Sequence, residues 1–129
     1  GYHLHQNFVV ALLNDIFGIQ CRGGCMCAGP YAQILLDISI DTAEQYEAAL
    51  SRDCSGQVED QNQNLVSSDP VYYMIYRPGF TRISLPAEAT PKEVDFLIEA
   101  VKLVAKYGWK MLVHYSVCLQ TGSFRLRSQ

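Results

Sequence analysis

The chain has 129 residues, of which 49% are hydrophobic and 18% charged, and its formal net charge at pH 7 is −3. This length and composition predict one soluble globular domain with a core of its own. The acidic balance argues against a general nucleic-acid surface, which is usually basic. No apolar stretch approaches the roughly 20 residues that cross a bilayer. The start of the chain has neither a signal peptide nor an initiator methionine, so we expect a piece of a longer protein.

Apolar residues at helical spacing predict a first helix over residues 5–17, ended by Gly18. A short strand is expected over residues 19–22. Pro30 then fits the first turn of a second helix, which runs to about Asp37. The N-terminal part of the chain is therefore predicted to be helix, short strand and helix.

The middle of the chain is predicted to contain a third helix, a polar loop and two strands. An Asp-Thr pair can cap a third helix over residues 43–52. Residues 54–69 form a polar stretch that is long for a loop in a compact domain, so we interpret it as an inserted loop. Strands are then expected over residues 71–76 and 80–85, on either side of an Arg-Pro-Gly turn.

A strong helix start follows at Thr90, with proline in the next position and Glu93 three residues after the threonine. The buried stripe of this helix ends before Gly108. The last part of the chain predicts a hairpin with strands over 111–119 and 124–126. The fold class is therefore α+β, with helices packed on a small, mainly antiparallel sheet, in one domain over residues 1–129.

The segment from Arg22 to Pro30 places a cation, two glycines and two cysteines before the second predicted helix. A helix start and a nearby arginine both lower the pKa of a cysteine, so Cys27 is the candidate nucleophile and the thiol expected to alkylate fastest. The alternative is a small buried apolar residue. Cys25 is interpreted as structural, with a resolving thiol as the other reading.

The chain has five cysteines at irregular spacing, an odd number. Free thiols in the cytoplasm or another reducing intracellular compartment are the simplest interpretation. The cysteines at 21, 25 and 27 lack the second ligand pair of a structural zinc site, so no metal site is predicted.

Two arginines are candidate substrate-binding residues. Arg82 lies within a predicted strand, and its guanidinium fork suits bidentate binding of a carboxylate. The alternative is a surface arginine on an edge strand. Arg22 is either a second substrate contact that also activates Cys27, or one half of a surface ion pair that contributes little.

The order of these motifs resembles the C-terminal (small) domain of class V aminotransferases, the fold-type I pyridoxal-phosphate enzymes that include cysteine desulfurases. Three segments carry the resemblance: the first predicted helix with the residues up to Ile19, the stretch Arg22 to Pro30, and the stretch Arg77 to Leu85 with the helix and Tyr-Gly-Trp-Lys motif that follow. The likeness is closest to a desulfurase-like branch with the motif Gly-Gly-Cys-x-Cys-Ala-Gly-Pro.

The resemblance implies that Arg82 binds the substrate α-carboxylate with assistance from Arg22. Cys27 would accept sulfur if the substrate is cysteine, and would be a bystander in a transamination or another lyase reaction. The pyridoxal-phosphate lysine belongs to a large domain that is absent here, so this chain is expected to bind no cofactor itself and to be inactive alone. The implied partners are that large domain, a second copy in a homodimer and an amino-acid substrate, with no nucleic acid or membrane. The segment Pro86 to Glu88 departs from the more aromatic family pattern.

Two other functions remain open from the residues. The chain could be a free-standing, non-catalytic binding or structural module derived from this domain. It could also be a small redox protein that uses Cys25 and Cys27, although their spacing differs from the usual C-x-x-C pair.

Overall fold

The computed structural model of the chain describes residues 3–25, 27–52 and 73–127. In these ranges the α-helices are α1 (Gln6–Phe17), α2 (Gly29–Leu35), α3 (Ile40–Arg52) and α4 (Pro91–Tyr107). The strands are β1 (Arg22–Gly24), β2 (Phe80–Arg82), β3 (Tyr115–Cys118) and β4 (Ser123–Leu126), and two 3-10 helices span Met74–Tyr76 and Gly108–His114. The predicted α+β class is confirmed. The described strands form two separate antiparallel pairs, β1–β2 and β3–β4, instead of the single sheet that we expected.

The best predicted elements are the two long helices. α1 ends as expected at Gly18, whose backbone is left-handed (φ 68°), a conformation that glycine adopts without steric cost. α4 begins with the predicted capping box: the Thr90 N–H donates to the Glu93 carboxylate at 2.7 Å, and the Glu93 N–H donates to the Thr90 hydroxyl. α2 and α3 also lie close to their predicted ranges.

Several predicted strands are wrong in extent. The strand expected over 19–22 begins only at Arg22, and the one over 80–85 ends at Arg82. The described part of the strand expected over 71–76 is a 3-10 helix, and residues 108–114 also form a 3-10 helix where a strand was expected from Met111. The hairpin itself is confirmed, with Tyr115 opposite Leu126. The inserted loop over 54–69, with Cys54, lies outside the described residues.

The core is centred on α1. Phe8, Leu12 and Leu13 are fully buried against Ala100 and Val104 of α4 and against the β3–β4 hairpin. The start of the hairpin is tied to α1 by the Tyr115 hydroxyl, which donates to the Asp15 carboxylate at 2.9 Å. Burial, together with this bond and the negative charge of Asp15, raises the pKa of Tyr115 to about 12. α1 therefore has a fixed position relative to the hairpin, and its first residues are held in place.

Many large apolar side chains are exposed on the described surface. Ile34 of α2 and Ile40 of α3 are each 78% exposed, and Val113 of the second 3-10 helix is 68% exposed. Exposed apolar side chains indicate an interaction surface only where they form one contiguous patch. No helix within the described ranges is long and apolar enough to span a bilayer.

Candidate anion-binding site

The two candidate arginines lie directly opposite each other. β1 and β2 pair in antiparallel register, with Arg22 facing Arg82. Opposed residues of neighbouring antiparallel strands have Cα atoms about 4.5–5.5 Å apart and project to the same face. The residue before Arg82 shows which face this is, because the Thr81 hydroxyl donates to the Gln6 carbonyl of α1 at 3.1 Å. The two arginine side chains therefore leave the face of the pair that points away from α1, and both are exposed.

Two glycines allow the close packing of this strand pair. A Cβ atom on Gly23 would lie 2.5 Å from the side-chain oxygen of Asn7, so a larger residue there would have to displace the Asn7 side chain. A Cβ atom on Gly79 would lie 2.6 Å from the carbonyl carbon of Gly24. The Gly-Gly and Arg-Pro-Gly motifs thus bring the two arginine-bearing segments together.

The structure brings together the three candidate residues that the sequence predicted. All three of them line one cavity of about 440 Å³. Arg22, Arg82 and Cys27 share it with a third arginine, Arg77, which precedes β2. No function was predicted for Arg77 from the sequence motifs. In the sequence Arg77 is marked only by its place in the turn before Arg82, and the cavity that it lines depends on how this turn packs.

The described cavity wall carries positive charge without a matching negative charge. None of the described residues that line it is acidic. Among pairs formed within residues 3–25, 27–50 and 73–127, the only ion pair joins Lys102 to Glu99, on the exposed surface of α4. Like charges placed opposite each other across a strand pair are unfavourable. An arginine pair that no described carboxylate neutralises therefore favours binding of an external anion.

Cys27 has an unusual backbone conformation. It lies in a turn closed by the Ala28 N–H, which donates to the Cys25 carbonyl at 2.8 Å, directly before α2. Its φ of 58° is in the left-handed region, which costs a residue with a Cβ atom about 1–2 kcal/mol. Strained residues of this kind concentrate at functional sites. The Cys27 side chain is exposed, so its thiol is accessible from solvent.

We expect the Cys27→Gly variant to be more stable than Cys27→Ala by roughly 1 kcal/mol, because only glycine removes the left-handed strain. Both variants lose the thiol, so the difference between their free energies of unfolding reports the backbone strain alone. Urea unfolding followed by circular dichroism measures it. Equal stabilities of the two variants would show that Cys27 is unstrained in solution.

The other described cysteines lie in different environments. Burial raises the pKa of the Cys21 thiol. At the end of β3, hydrogen bonds from the side chain and backbone of Thr121 lower the pKa of the exposed Cys118 thiol. Cys118 is therefore a second candidate for a reactive thiol, and sequence reasoning missed it because a turn contact between residues 118 and 121 leaves no motif. The greater reactivity expected of Cys27 stays a prediction. No group of three or more His, Cys, Asp or Glu side chains in the described ranges could hold a metal ion.

The first residues of α1 hold the cavity wall in place. The imidazole of His5 accepts from the Asn7 N–H at Nδ1 and donates from Nε2 to the Ile75 carbonyl, both at 3.1 Å. Gln6 donates to the Arg77 carbonyl at 3.0 Å, and Asn7 donates to the Gly122 carbonyl at 2.9 Å. Three consecutive polar side chains thus connect α1 to the Arg77 segment and to the hairpin turn.

We expect the free energy of unfolding to fall as the pH drops below about 6.5, the ordinary pKa of histidine. Burial lowers the pKa of His5, partly opposed by its bond to Ile75, so the unfolded chain binds this proton more readily than the folded chain. The stabilisation is complete above pH 6.5 and is lost as the pH falls through the lower folded value.

Urea unfolding at pH 7.5 and pH 5.0 measures this loss. The His5→Asn variant keeps an N-cap acceptor and should show a smaller difference between the two pH values. Replacement of the exposed His3 by glutamine is the control and should leave the difference unchanged. If the free energy of unfolding of His5→Asn falls by the full amount between the two pH values, a group other than His5 causes the loss of stability.

Comparison with family models, with curated proteins and with solved structures finds no match to this chain. Membership of the class V aminotransferases therefore rests on the sequence motifs alone, and it stays a prediction.

The described residues do not fit pyridoxal phosphate as a covalently held group. Such enzymes bind the cofactor through a lysine Schiff base. The four lysines of the chain all lie on α4 or on the following 3-10 helix, and none lines the arginine cavity. A lysine for such a cofactor would have to come from another unit.

Proposed function

We propose that this chain is the C-terminal, substrate-binding domain of a pyridoxal-phosphate-dependent enzyme of the class V aminotransferase type, similar to cysteine desulfurases. It contributes Arg82 and Arg22 as the site for the substrate carboxylate and Cys27 as a sulfur-accepting thiol, and it is inactive alone. One observation carries the proposal. Cys27 and Arg82, which lie 5 and 60 positions after Arg22 in the chain, line the same cavity as Arg22.

The geometry supports the proposed role of the arginines. A guanidinium group offers parallel N–H donors that match the two oxygens of a carboxylate, and two such groups opposite each other can bind one carboxylate from both sides. The exposed apolar side chains of α2, α3 and the second 3-10 helix support the expected large domain and homodimer partner, because such a surface needs a cover.

Protection of Cys27 from alkylation tests the carboxylate site on the 129-residue chain. We expect L-alanine, which carries a carboxylate but no thiol, to slow the reaction of Cys27 with iodoacetamide and to leave Cys118 unaffected. L-alanine methyl ester, which lacks the carboxylate, should give no protection. Mass spectrometry of the two cysteine peptides measures both rates in one sample.

The Arg82→Gln variant should bind L-alanine about 10- to 100-fold more weakly, since a hydrogen bond to a charged group contributes about 1.5–3 kcal/mol. Arg127→Gln is the matched control, because it removes the same charge from an exposed residue outside the cavity. If L-alanine and its ester affect Cys27 equally, or if the two variants behave alike, the carboxylate site is refuted.

The free-standing module is the second candidate, and the exposed apolar surface is compatible with it as well. The native polypeptide isolated from its source separates the two functions. A longer polypeptide whose visible absorbance is bleached by borohydride supports the enzyme. A colourless polypeptide of this length, with Cys27 still protected by L-alanine, supports a binding module.

A further inference from the structure

Three arginines line one cavity, although a single carboxylate needs only one or two guanidinium groups. Besides the facing pair Arg22 and Arg82, the wall includes Arg77, and no described lining residue is acidic. An ordinary amino acid brings one carboxylate and one ammonium group, and so would leave the excess positive charge of the wall uncompensated. The charge of the wall is therefore better matched by a ligand with a second anionic group.

We infer that the cavity selects small ligands that carry two anionic groups, one on the Arg22–Arg82 pair and the other on Arg77. This inference rests on the carboxylate site of the proposed function and selects, as its substrate class, amino acids with an acidic side chain. For such a substrate without sulfur, Cys27 borders the site as a bystander and accepts no sulfur. The cavity volume of about 440 Å³ lies within the common range for small-molecule sites, about 300–1,000 Å³.

The backbone of Arg77 is fixed where it can serve this role. Its carbonyl accepts from the Gln6 side chain at 3.0 Å, and its N–H donates to the Met74 carbonyl at 3.1 Å. Pro78 follows and restricts the chain further. These bonds use only the main chain of Arg77, so its guanidinium group is not required for them.

The start of α1 also borders this cavity, beside the strand pair that carries the facing arginines. Gln6 and Asn7, the first two residues of this helix, line the same cavity as the arginines. The N-terminus of a helix carries a partial positive charge. The combination of three arginines and a helix start distinguishes this cavity from an isolated surface arginine.

Neighbouring acidic residues offer the main competing explanation for Arg77. Arg77 also borders a second cavity, which two acidic residues of α3, Glu44 and Glu47, help to line. Within the described ranges no ion pair joins Arg77 to Glu44. Arg77 is therefore assigned to the anion cavity, and substitution of Arg77 tests this assignment directly.

Isothermal titration of the 129-residue chain with succinate, propionate and inorganic phosphate at one fixed low ionic strength tests the inference. Succinate has two separated carboxylates, propionate has one, and phosphate concentrates its charge in one group. We expect succinate to bind at least about tenfold more tightly than either of the others, the equivalent of one further charge-assisted hydrogen bond. A parallel titration with 3-phosphonopropionate shows whether a carboxylate or a phosphonate is preferred as the second group.

Variants assign the two subsites. Arg77→Gln should reduce succinate binding to the level of propionate and leave propionate binding unchanged. Arg77→Lys keeps the charge and should retain part of the preference for succinate. Arg82→Gln should weaken both ligands, and Arg127→Gln should weaken neither. Urea unfolding of each variant checks that the fold is intact.

The outcomes separate this inference from the proposed function. If propionate binds in an Arg82-dependent way but succinate binds no more tightly, the inference is wrong and the carboxylate site stands. If phosphate equals succinate, or if Arg77→Gln leaves the preference for succinate unchanged, the second subsite is also refuted. If none of the ligands binds, both the inference and the proposed carboxylate site fail.

Discussion

Replacement of Phe8 by alanine should lower the free energy of unfolding by about 3–5 kcal/mol. The Phe8 side chain is fully buried on α1, and its ring packs against Tyr115 at 5.3 Å and against Phe124 at 5.2 Å between centroids. Alanine removes these contacts and leaves a cavity that rigid neighbours fill only in part. A domain of ordinary stability has about 5–15 kcal/mol in total, so the variant should unfold at a much lower urea concentration.

A phenylalanine on the surface provides the matched control. Phe96 of α4 is 52% exposed and touches Phe17 edge-on at 6.4 Å. The Phe96→Ala variant should lose about 1 kcal/mol or less. If both variants lose the same stability, α1 does not form the centre of the core. The Phe8→Ala variant should also bind propionate more weakly, because the start of α1 supports the arginine cavity.

The sequence predicted the long helices because their signals are local. Thr90, Pro91 and Glu93 occupy cap positions with their own chemistry, and Gly18 marks a left-handed helix end. These signals need no partner elsewhere in the chain. Tertiary packing therefore does not move these helix ends, and the helix bounds were predicted almost correctly.

The 3-10 helix over Met74–Tyr76 could not be predicted because distant partners determine it. The N–H groups of Met74 and Ile75 donate to the carbonyls of Gln120 and Leu119, in the hairpin turn more than 40 residues away. The apolar, aromatic-rich run around them has strand propensity, but the N–H groups of Met74 and Ile75 bond to a turn instead of to a neighbouring strand. Propensity alone does not indicate which partner a strand-like segment will find.

The candidate site was predicted residue by residue but not as an arrangement. The motifs and the family resemblance singled out Arg22, Cys27 and Arg82 separately, and strand register then placed Arg22 opposite Arg82. Register depends on tertiary packing, because a slip by one residue reverses the face of every side chain. Arg77 was missed for the same reason, since its position depends on how the turn packs against α1.

Replacement of Gly79 by alanine should destabilise the chain by about 1–3 kcal/mol and weaken anion binding at the same time. The added Cβ atom would lie 2.6 Å from the carbonyl carbon, 2.8 Å from Cα and 2.9 Å from the oxygen of Gly24. All three atoms belong to backbone, so no side-chain rotation relieves the contact. The β1–β2 pair must separate, and the facing arginines move apart with it. Urea unfolding and propionate titration measure the two effects.

Gly29 is the matched control for this change. It begins α2, has no atom within 4 Å of an added Cβ atom and is not in the left-handed region. Gly29→Ala should leave propionate binding unchanged and raise stability by up to about 1 kcal/mol, because alanine favours helix more than glycine does. Gly79→Ala could be as stable as Gly29→Ala and yet no longer bind propionate. In that case the strand pair adjusts without unfolding, and anion binding depends on the spacing between β1 and β2. If Gly79→Ala binds propionate normally, the facing of Arg22 and Arg82 is not what creates the site.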